Sequence, residues 1–173
     1  MKNLLTACLL ITIMSSCASV KKITPSLEGT HFKRTNLLIS NLGRSLVIYR
    51  DILGFTVHKM SVSSEDSYSY PVFKIPKEAK LKFCTLDSPD QVRTIALTEI
   101  TGIDLPPPPS TPHLSASVLR VKDLPEAMKK IKALGLSITE PKIASGSDGM
   151  TFMEQAFVDY DGHLIVLYEF QKS

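Results

Sequence analysis

Four histidines, His31, His58, His113 and His163, are the side chains of this chain best suited to proton transfer or metal ligation near neutral pH. Two read as ordinary strand residues. His58 alternates within Thr56-Val57-His58-Lys59, His163 follows the turn Asp161-Gly162, and no orienting partner is identifiable beside either. The acidic pairs Glu65-Asp66 and Asp159/Asp161 fall in loop or turn settings, where aspartate is common for backbone reasons alone. There is no Gly-x-Ser-x-Gly elbow, no phosphate-binding glycine loop and no Cys/His nucleophile pairing. The cysteines, Cys8, Cys17 and Cys84, are too few for a disulfide scaffold and are not spaced as a zinc site. No residue is assigned as catalytic on motif grounds, and no cofactor is expected.

The composition narrows the classes further. The 173 residues are 43% hydrophobic, 21% charged and 7% aromatic, which excludes a disordered, collagenous or multi-span membrane chain. Lys+Arg 20 against Asp+Glu 17 leaves a formal charge of +3, with no basic block beyond Lys21-Lys22 and Lys129-Lys130. A nucleic-acid partner is excluded on that balance.

The first residues differ from the rest. Met1-Lys2-Asn3 is a short positive start, and Leu4 to Met14 is almost unbroken apolar sequence, too short to span a bilayer and suited to a secretory signal. Ser15-Ser16 then precede Cys17, which resembles the lipobox of bacterial lipoproteins. That resemblance implies cleavage after residue 16, a diacylglycerol on Cys17 and, with Ala18 following, an outer membrane location facing the periplasm in a diderm host. Residues 17–31 are polar and aperiodic and read as a tether. Cys84 is left without a disulfide partner and is expected to be a small buried filler.

The remainder contains a repeat. Asn36-Leu-Leu-Ile-Ser-Asn-Leu-Gly through Leu53-Gly54-Phe55 parallels Ser117-Val-Leu-Arg-Val-Lys-Asp-Leu through Leu134-Gly135-Leu136. Each is a β-rich run, a polar cap, a helix with one apolar face and a new strand. Asn41 caps the first helix, whose stripe is Leu42, Leu46, Tyr49 and Leu53. Asp123 with Glu126 forms a capping-box pattern for the second, with Pro125 in its first turn and Leu124, Ala127, Met128, Ile131 and Leu134 as its stripe. Gly54 and Gly135 stand where a left-handed C-terminal residue is needed. Strands are expected over 55–61, 80–85 and 93–100, then over 136–139, 152–159 and 163–170, with Asp161-Gly162 as the last hairpin turn. Pro106 to Pro109 reads as a stiff crossover.

The run from Arg34 to Phe55, together with Asp159-Tyr-Asp-Gly-His-Leu-Ile-Val-Leu-Tyr-Glu169, resembles the opening and closing signatures of the vicinal oxygen chelate superfamily. That superfamily holds glyoxalase I, extradiol dioxygenases, and fosfomycin and bleomycin resistance proteins. The resemblance implies an α+β fold of two βαβββ modules, 32–103 and 113–170, joined by a proline linker over 104–112. Their curved mixed sheets would surround a cavity, with the helices outside. On strand parity, Leu37, Ile39, Ile95, Leu97, Ile165 and Leu167 would pack the helices, while Arg34, Asn36, Thr94, Ala96, Thr98, Val166 and Tyr168 would face the cavity.

Metal-dependent members hold a divalent ion with His, Glu or Gln. Carried over by position, the resemblance puts those ligands on Arg34, Ala96, Ala116 (with Ser115 beside it) and Val166. A guanidinium has no lone pair to give, and Ala and Val have no donor, so no metal site is expected. One rival set exists: His31, Glu99, His113 and Glu169, each three residues from those positions. An odd shift, however, moves a strand residue to the opposite face.

The expected ligand-binding residues are therefore Arg34, Asn36, Thr94, Ala96, Thr98, Ala116, Val166 and Tyr168. Arg34 would clamp an anionic group of a small molecule, or form an internal ion pair with Glu154 or Glu169. Tyr68, Tyr70 and Phe73 belong to a Ser-rich loop that would lie over the cavity mouth. The reading that follows is a membrane-anchored protein that binds a small molecule without turnover. Its alternatives are a lyase or dioxygenase using the displaced His/Glu set, and a structural envelope subunit. The modules would pair within one chain or between two copies in a homodimer.

Overall fold

The computed structural model describes residues 29–108, 110–146 and 149–171. The leader, Cys17 and almost all of the tether lie outside the described residues. The chain divides into a unit over Met1–His31 and a unit over Phe32–Ser173, and the fold is that of the second. Among the described residues no helix is long and apolar enough to cross a membrane.

Module one begins with β1 (Thr35–Ile39), in which Leu37 and Ile39 are buried at a spacing of two. Helix α1 (Leu42–Leu46) starts at Asn41, whose side chain accepts from the Arg44 amide at 2.8 Å. It continues as a π-helix over Val47–Ile52, closed by Leu53 N–H donating to Ile48 C=O at 2.9 Å. The wider winding turns Ile48, fully buried, toward the core beside Tyr49, a position that a 3.6-residue stripe of Leu42, Leu46, Tyr49 and Leu53 passes over. Gly54 ends the helix at φ +79, as the sequence required.

Strands β2 (Thr56–Val62), β3 (Lys80–Asp87) and β4 (Ile95–Thr101) complete the first sheet in the order β1-β4-β3-β2, with β1 parallel to β4 and the other pairs antiparallel. A short helix α2 (Ser69–Phe73) interrupts the loop between β2 and β3.

Module two repeats the plan. Strand β5 (Ser117–Arg120) leads to α3 (Leu124–Ala133), where Asp123 accepts from the Glu126 amide at 3.0 Å and Leu124, Ala127, Met128 and Ile131 are buried. Strands β6 (Lys142–Ser145), β7 (Thr151–Val158) and β8 (Leu164–Phe170) form a sheet in the order β5-β8-β7-β6. The expected strand over 136–139 is reduced to one bridge, Ile138 with Phe157. Pairing breaks there because Thr139 Oγ1 accepts the Ala156 amide at 2.9 Å and Pro141 has no amide to give, and it resumes at Lys142.

The six expected helix-packing residues, Leu37, Ile39, Ile95, Leu97, Ile165 and Leu167, join one core with Leu42, Leu46, Tyr49, Leu124, Ile131 and Phe157. Burying each such aliphatic side chain contributes about 1.5–3 kcal/mol, so the core that holds the helices also binds the two modules together. Cys84 lies in it fully buried, and burial pushes its thiol up.

Candidate functional site

The concave face of the first sheet is largely filled. Leu38, Leu81 and Ile100 share the parity of the expected cavity residues, and Tyr70, Phe73 and Ile75 from α2 and its flank pack onto them in a second cluster. Tyr70 is 4% exposed and donates its hydroxyl to Ala79 C=O at 2.9 Å, whereas Tyr68 is 80% exposed. The Ser-rich segment is thus pinned down by the Tyr70 and Phe73 rings while Tyr68 faces solvent. Beyond it, Ala96 and Thr98 are fully buried, and the Thr98 hydroxyl donates to Asn36 Oδ1 at 2.9 Å. The Arg34 guanidinium lies over the Phe83 ring, 5.4 Å from its centroid. The Thr94 hydroxyl donates into the turn before β4, to Gln91 C=O at 2.7 Å.

The second sheet keeps its concave face open. A cavity of about 280 Å³ is lined by Val118, Gly146, Met150, Phe152, Glu154, Tyr168 and Phe170. Cross-strand register creates it, because Phe152 stands opposite Phe170 and Glu154 opposite Tyr168. The rings meet nearly at right angles: Phe152 and Tyr168 have centroids 6.1 Å apart at 70°, and Tyr168 and Phe170 5.6 Å apart at 87°. Gly146 accepts from Gly149 N–H at 3.0 Å, and its own amide donates to Met150 C=O at 2.8 Å, which sets the turn at the rim. Of the eight residues expected to bind ligand, Tyr168 alone lines this cavity. Val166 shares its face of β8 opposite Ala156, and Ala116 is exposed just before β5.

Glu99 and Glu169 have another occupation. Glu99 accepts the Leu42 amide at 2.7 Å and Glu169 the Leu124 amide at 2.8 Å. Each module's closing strand therefore supplies a carboxylate to the N-terminus of that module's own helix, where free amides and the helix dipole favour negative charge. Their strand parity is that of Leu97 and Leu167, which places them on the helix side and not on the concave face. His113 is half-buried at the end of the linker, and His31 belongs to the other unit. Among the described residues no three His, Cys, Asp or Glu side chains converge on one point. Arg34, Ala96, Ala116 and Val166, the positions to which the resemblance carries metal ligands, offer no donor that fits a divalent ion.

The aspartates of the last hairpin do more than shape a turn. Asp159, 5% exposed, accepts from the Tyr49 hydroxyl at 2.8 Å and from the amides of Asp161 and His163 at 3.0 and 2.9 Å. Asp161 Oδ1 accepts from the Ser40 amide at 3.0 Å and its hydroxyl at 2.6 Å, with the Arg44 guanidinium 3.5 Å away. Arg44 also lies over the Tyr160 ring, 4.3 Å from its centroid. His163 Nε2 must carry the proton, since it lies 2.8 Å from Leu38 C=O, which only accepts. The hairpin is a clasp that closes module two onto the β1–α1 corner of module one. His58 is paired as well, 3.0 Å from Asp87. Burial pushes the Asp87 carboxyl up, but hydrogen bonds from the Arg93 amide and His58 outweigh it and hold the group below its usual range.

The chain matches a family model described as the glyoxalase/bleomycin resistance protein/dioxygenase superfamily over residues 31–167. Among solved structures it is similar to a glyoxalase family protein from Bacillus cereus, at 13% identity and a TM-score of 0.66, covering 84% of this chain and 97% of that one. It is similar to a glyoxylase/bleomycin resistance protein/dioxygenase domain from Frankia sp. EAN1pec, at 16% identity and 0.58, covering 86% and 96%. A fosfomycin resistance protein, FosX, from Listeria monocytogenes, solved with Mn(II) and sulfate, aligns at 14% identity and 0.54, covering 82% and 93%. No curated protein matches the chain in sequence. At these identities the structural likeness establishes the fold.

Proposed function

Because the chain belongs to the glyoxalase/bleomycin resistance protein/dioxygenase superfamily, we propose that it is a metal-free member that binds a small molecule and releases it unchanged. The observation that carries this reading is a mismatch. Arg34, Ala96, Ala116 and Val166 stand where the resemblance puts the donors of metal-dependent relatives, and none of them can ligate a metal, while an aromatic cavity stays open on the second sheet. FosX from Listeria monocytogenes, which is similar in fold, was solved with Mn(II), so the metal content of this chain is the property to measure. The rival lyase or dioxygenase needs Glu99 and Glu169 as ligands, and both are already bonded to helix amides.

The two readings part on one experiment. Purified protein is expected to contain far less than one equivalent of zinc, iron or manganese after mild dialysis. Glu99→Gln and Glu169→Gln are expected to leave that content unchanged while each lowers stability by about 1 kcal/mol through a weakened helix cap. Stoichiometric metal that disappears in either variant would establish the enzyme reading instead.

The same proposal places the protein on a membrane through a lipid on Cys17, in the bacterial envelope. Support comes from the short apolar leader ending at Ser15-Ser16-Cys17. Mass spectrometry of the mature N-terminus is expected to find a diacylglycerol-modified Cys17, and Cys17→Ser to release the protein from the membrane fraction. An unmodified N-terminus elsewhere in the tether refutes the anchor.

A further inference from the structure

We infer that the cavity on the second sheet takes an organic cation, an ammonium group carried on an apolar body. The inference rests on the binding reading above and names the class of molecule for that site.

Two independent features of the cavity agree on the sign of the charge. Phe152, Tyr168 and Phe170 line the cavity and pack edge to face, at 70° and 87°, so the lining is aromatic on three sides without a parallel stack. A ring face carries the negative part of the aromatic quadrupole, and a cavity lined by several rings favours poorly hydrated ammonium groups over anions. The second feature is Glu154, half-buried beside the rings and directly opposite Tyr168 in register. Among the described residues no hydrogen bond or ion pair reaches its carboxylate, and none reaches the Tyr168 hydroxyl. The negative charge of Glu154 is thus left uncompensated by the protein at the cavity wall, and a bound cation supplies the opposite charge.

The neighbouring basic groups do not fill this role. Arg120 stands opposite Tyr168 on β5 but reaches Asp90, 3.3 Å away. Lys142 stands opposite Glu154 on the edge strand, exposed, and makes no ion pair with it. Arg34, the residue expected to clamp an anion, lies over Phe83 and does not line the cavity. The rest of the lining, Val118 and Met150 included, is apolar and suits the body of the molecule.

The test uses the full chain and three probes of one shape family: benzyltrimethylammonium, its neutral isostere neopentylbenzene, and phenylacetate. Titration is followed by the amide signals of Phe152, Glu154 and Tyr168. The cation is expected to move these signals and to bind at least tenfold more tightly than either other probe. Glu154→Gln is expected to weaken it at least tenfold and leave neopentylbenzene unaffected, while Glu154→Asp, which keeps the charge, stays within a few-fold of the parent. If phenylacetate or neopentylbenzene binds as well as the cation, or Glu154→Gln changes nothing, the ligand class is wrong and the binding cavity stands. If none of the three probes moves these signals, the cavity is not a binding site and the reading beneath the inference falls with it.

Discussion

Asp159→Ala lowers the unfolding free energy by about 3–5 kcal/mol, the range for breaking a buried charged hydrogen-bond network by removing one partner. The carboxylate receives the Tyr49 hydroxyl and two amides of its own hairpin. Removing it leaves the fully buried hydroxyl of Tyr49 unpaired in the core shared by both modules. Against a total stability of about 5–15 kcal/mol, that loss is a large fraction. Asp159→Asn keeps an acceptor in place and should cost markedly less. Urea unfolding is the measurement, and a loss below about 1 kcal/mol for the alanine variant would reduce the clasp to an ordinary turn. The same pair has a signature in alkali. Burial, and then the charge of Asp159, raise the Tyr49 hydroxyl well above its ordinary 10.0. The folded state therefore holds a proton that the unfolded chain gives up. The contribution is complete below about pH 10, and stability falls as pH climbs beyond it. Tyr49→Phe should flatten that slope while costing some stability at neutral pH.

Tyr70→Ala is expected to cost about 3–5 kcal/mol, as for truncating other large buried aromatics, but locally and not across the whole chain. Tyr70 holds Ile75, Ala79, Leu81 and Ile100 in a cluster separate from the main core. Its hydroxyl satisfies Ala79 C=O, and the Lys77 ammonium lies 4.5 Å above its ring. Without the ring, amides over 63–79 should exchange with solvent orders of magnitude faster, while those of β8 keep their protection. Equal acceleration throughout the chain would show that this cluster belongs to the global folding unit after all.

The parts of the fold legible in the sequence are those governed by local rules. The caps Asn41 and Asp123, the glycines at 54 and 135 and the parity of Leu37, Ile39, Leu97 and Leu167 each follow from neighbours a few residues away. The remaining features depend on partners distant in sequence. Asp159 and Asp161 looked like turn residues because Tyr49 and Ser40 lie more than a hundred positions earlier. The carboxylates Glu99 and Glu169 did leave a signal. Ile95-Ala-Leu-Thr-Glu-Ile100 aligns with Ile165-Val-Leu-Tyr-Glu-Phe170, and a charge recurring on the apolar parity of a strand marks a group held by something on the helix side. The cavity was only partly readable. Its lining includes Phe152, Glu154 and Gly146, whose convergence needs the β6–β7 turn and the register of β7 against β8. The filling of the first face needed Tyr70 to fold back from a loop with no periodic pattern.

Duplication ordinarily produces two equivalent seats. Here α2 and its flank fill one concave face with Tyr70 and Ile75, and the other stays open between Phe152 and Phe170. The symmetry of the backbone is thus not passed on to the two concave faces. On the proposed binding reading, a chain assembled as a pair offers one open seat among its described residues, so a titration is expected to saturate at one molecule per polypeptide.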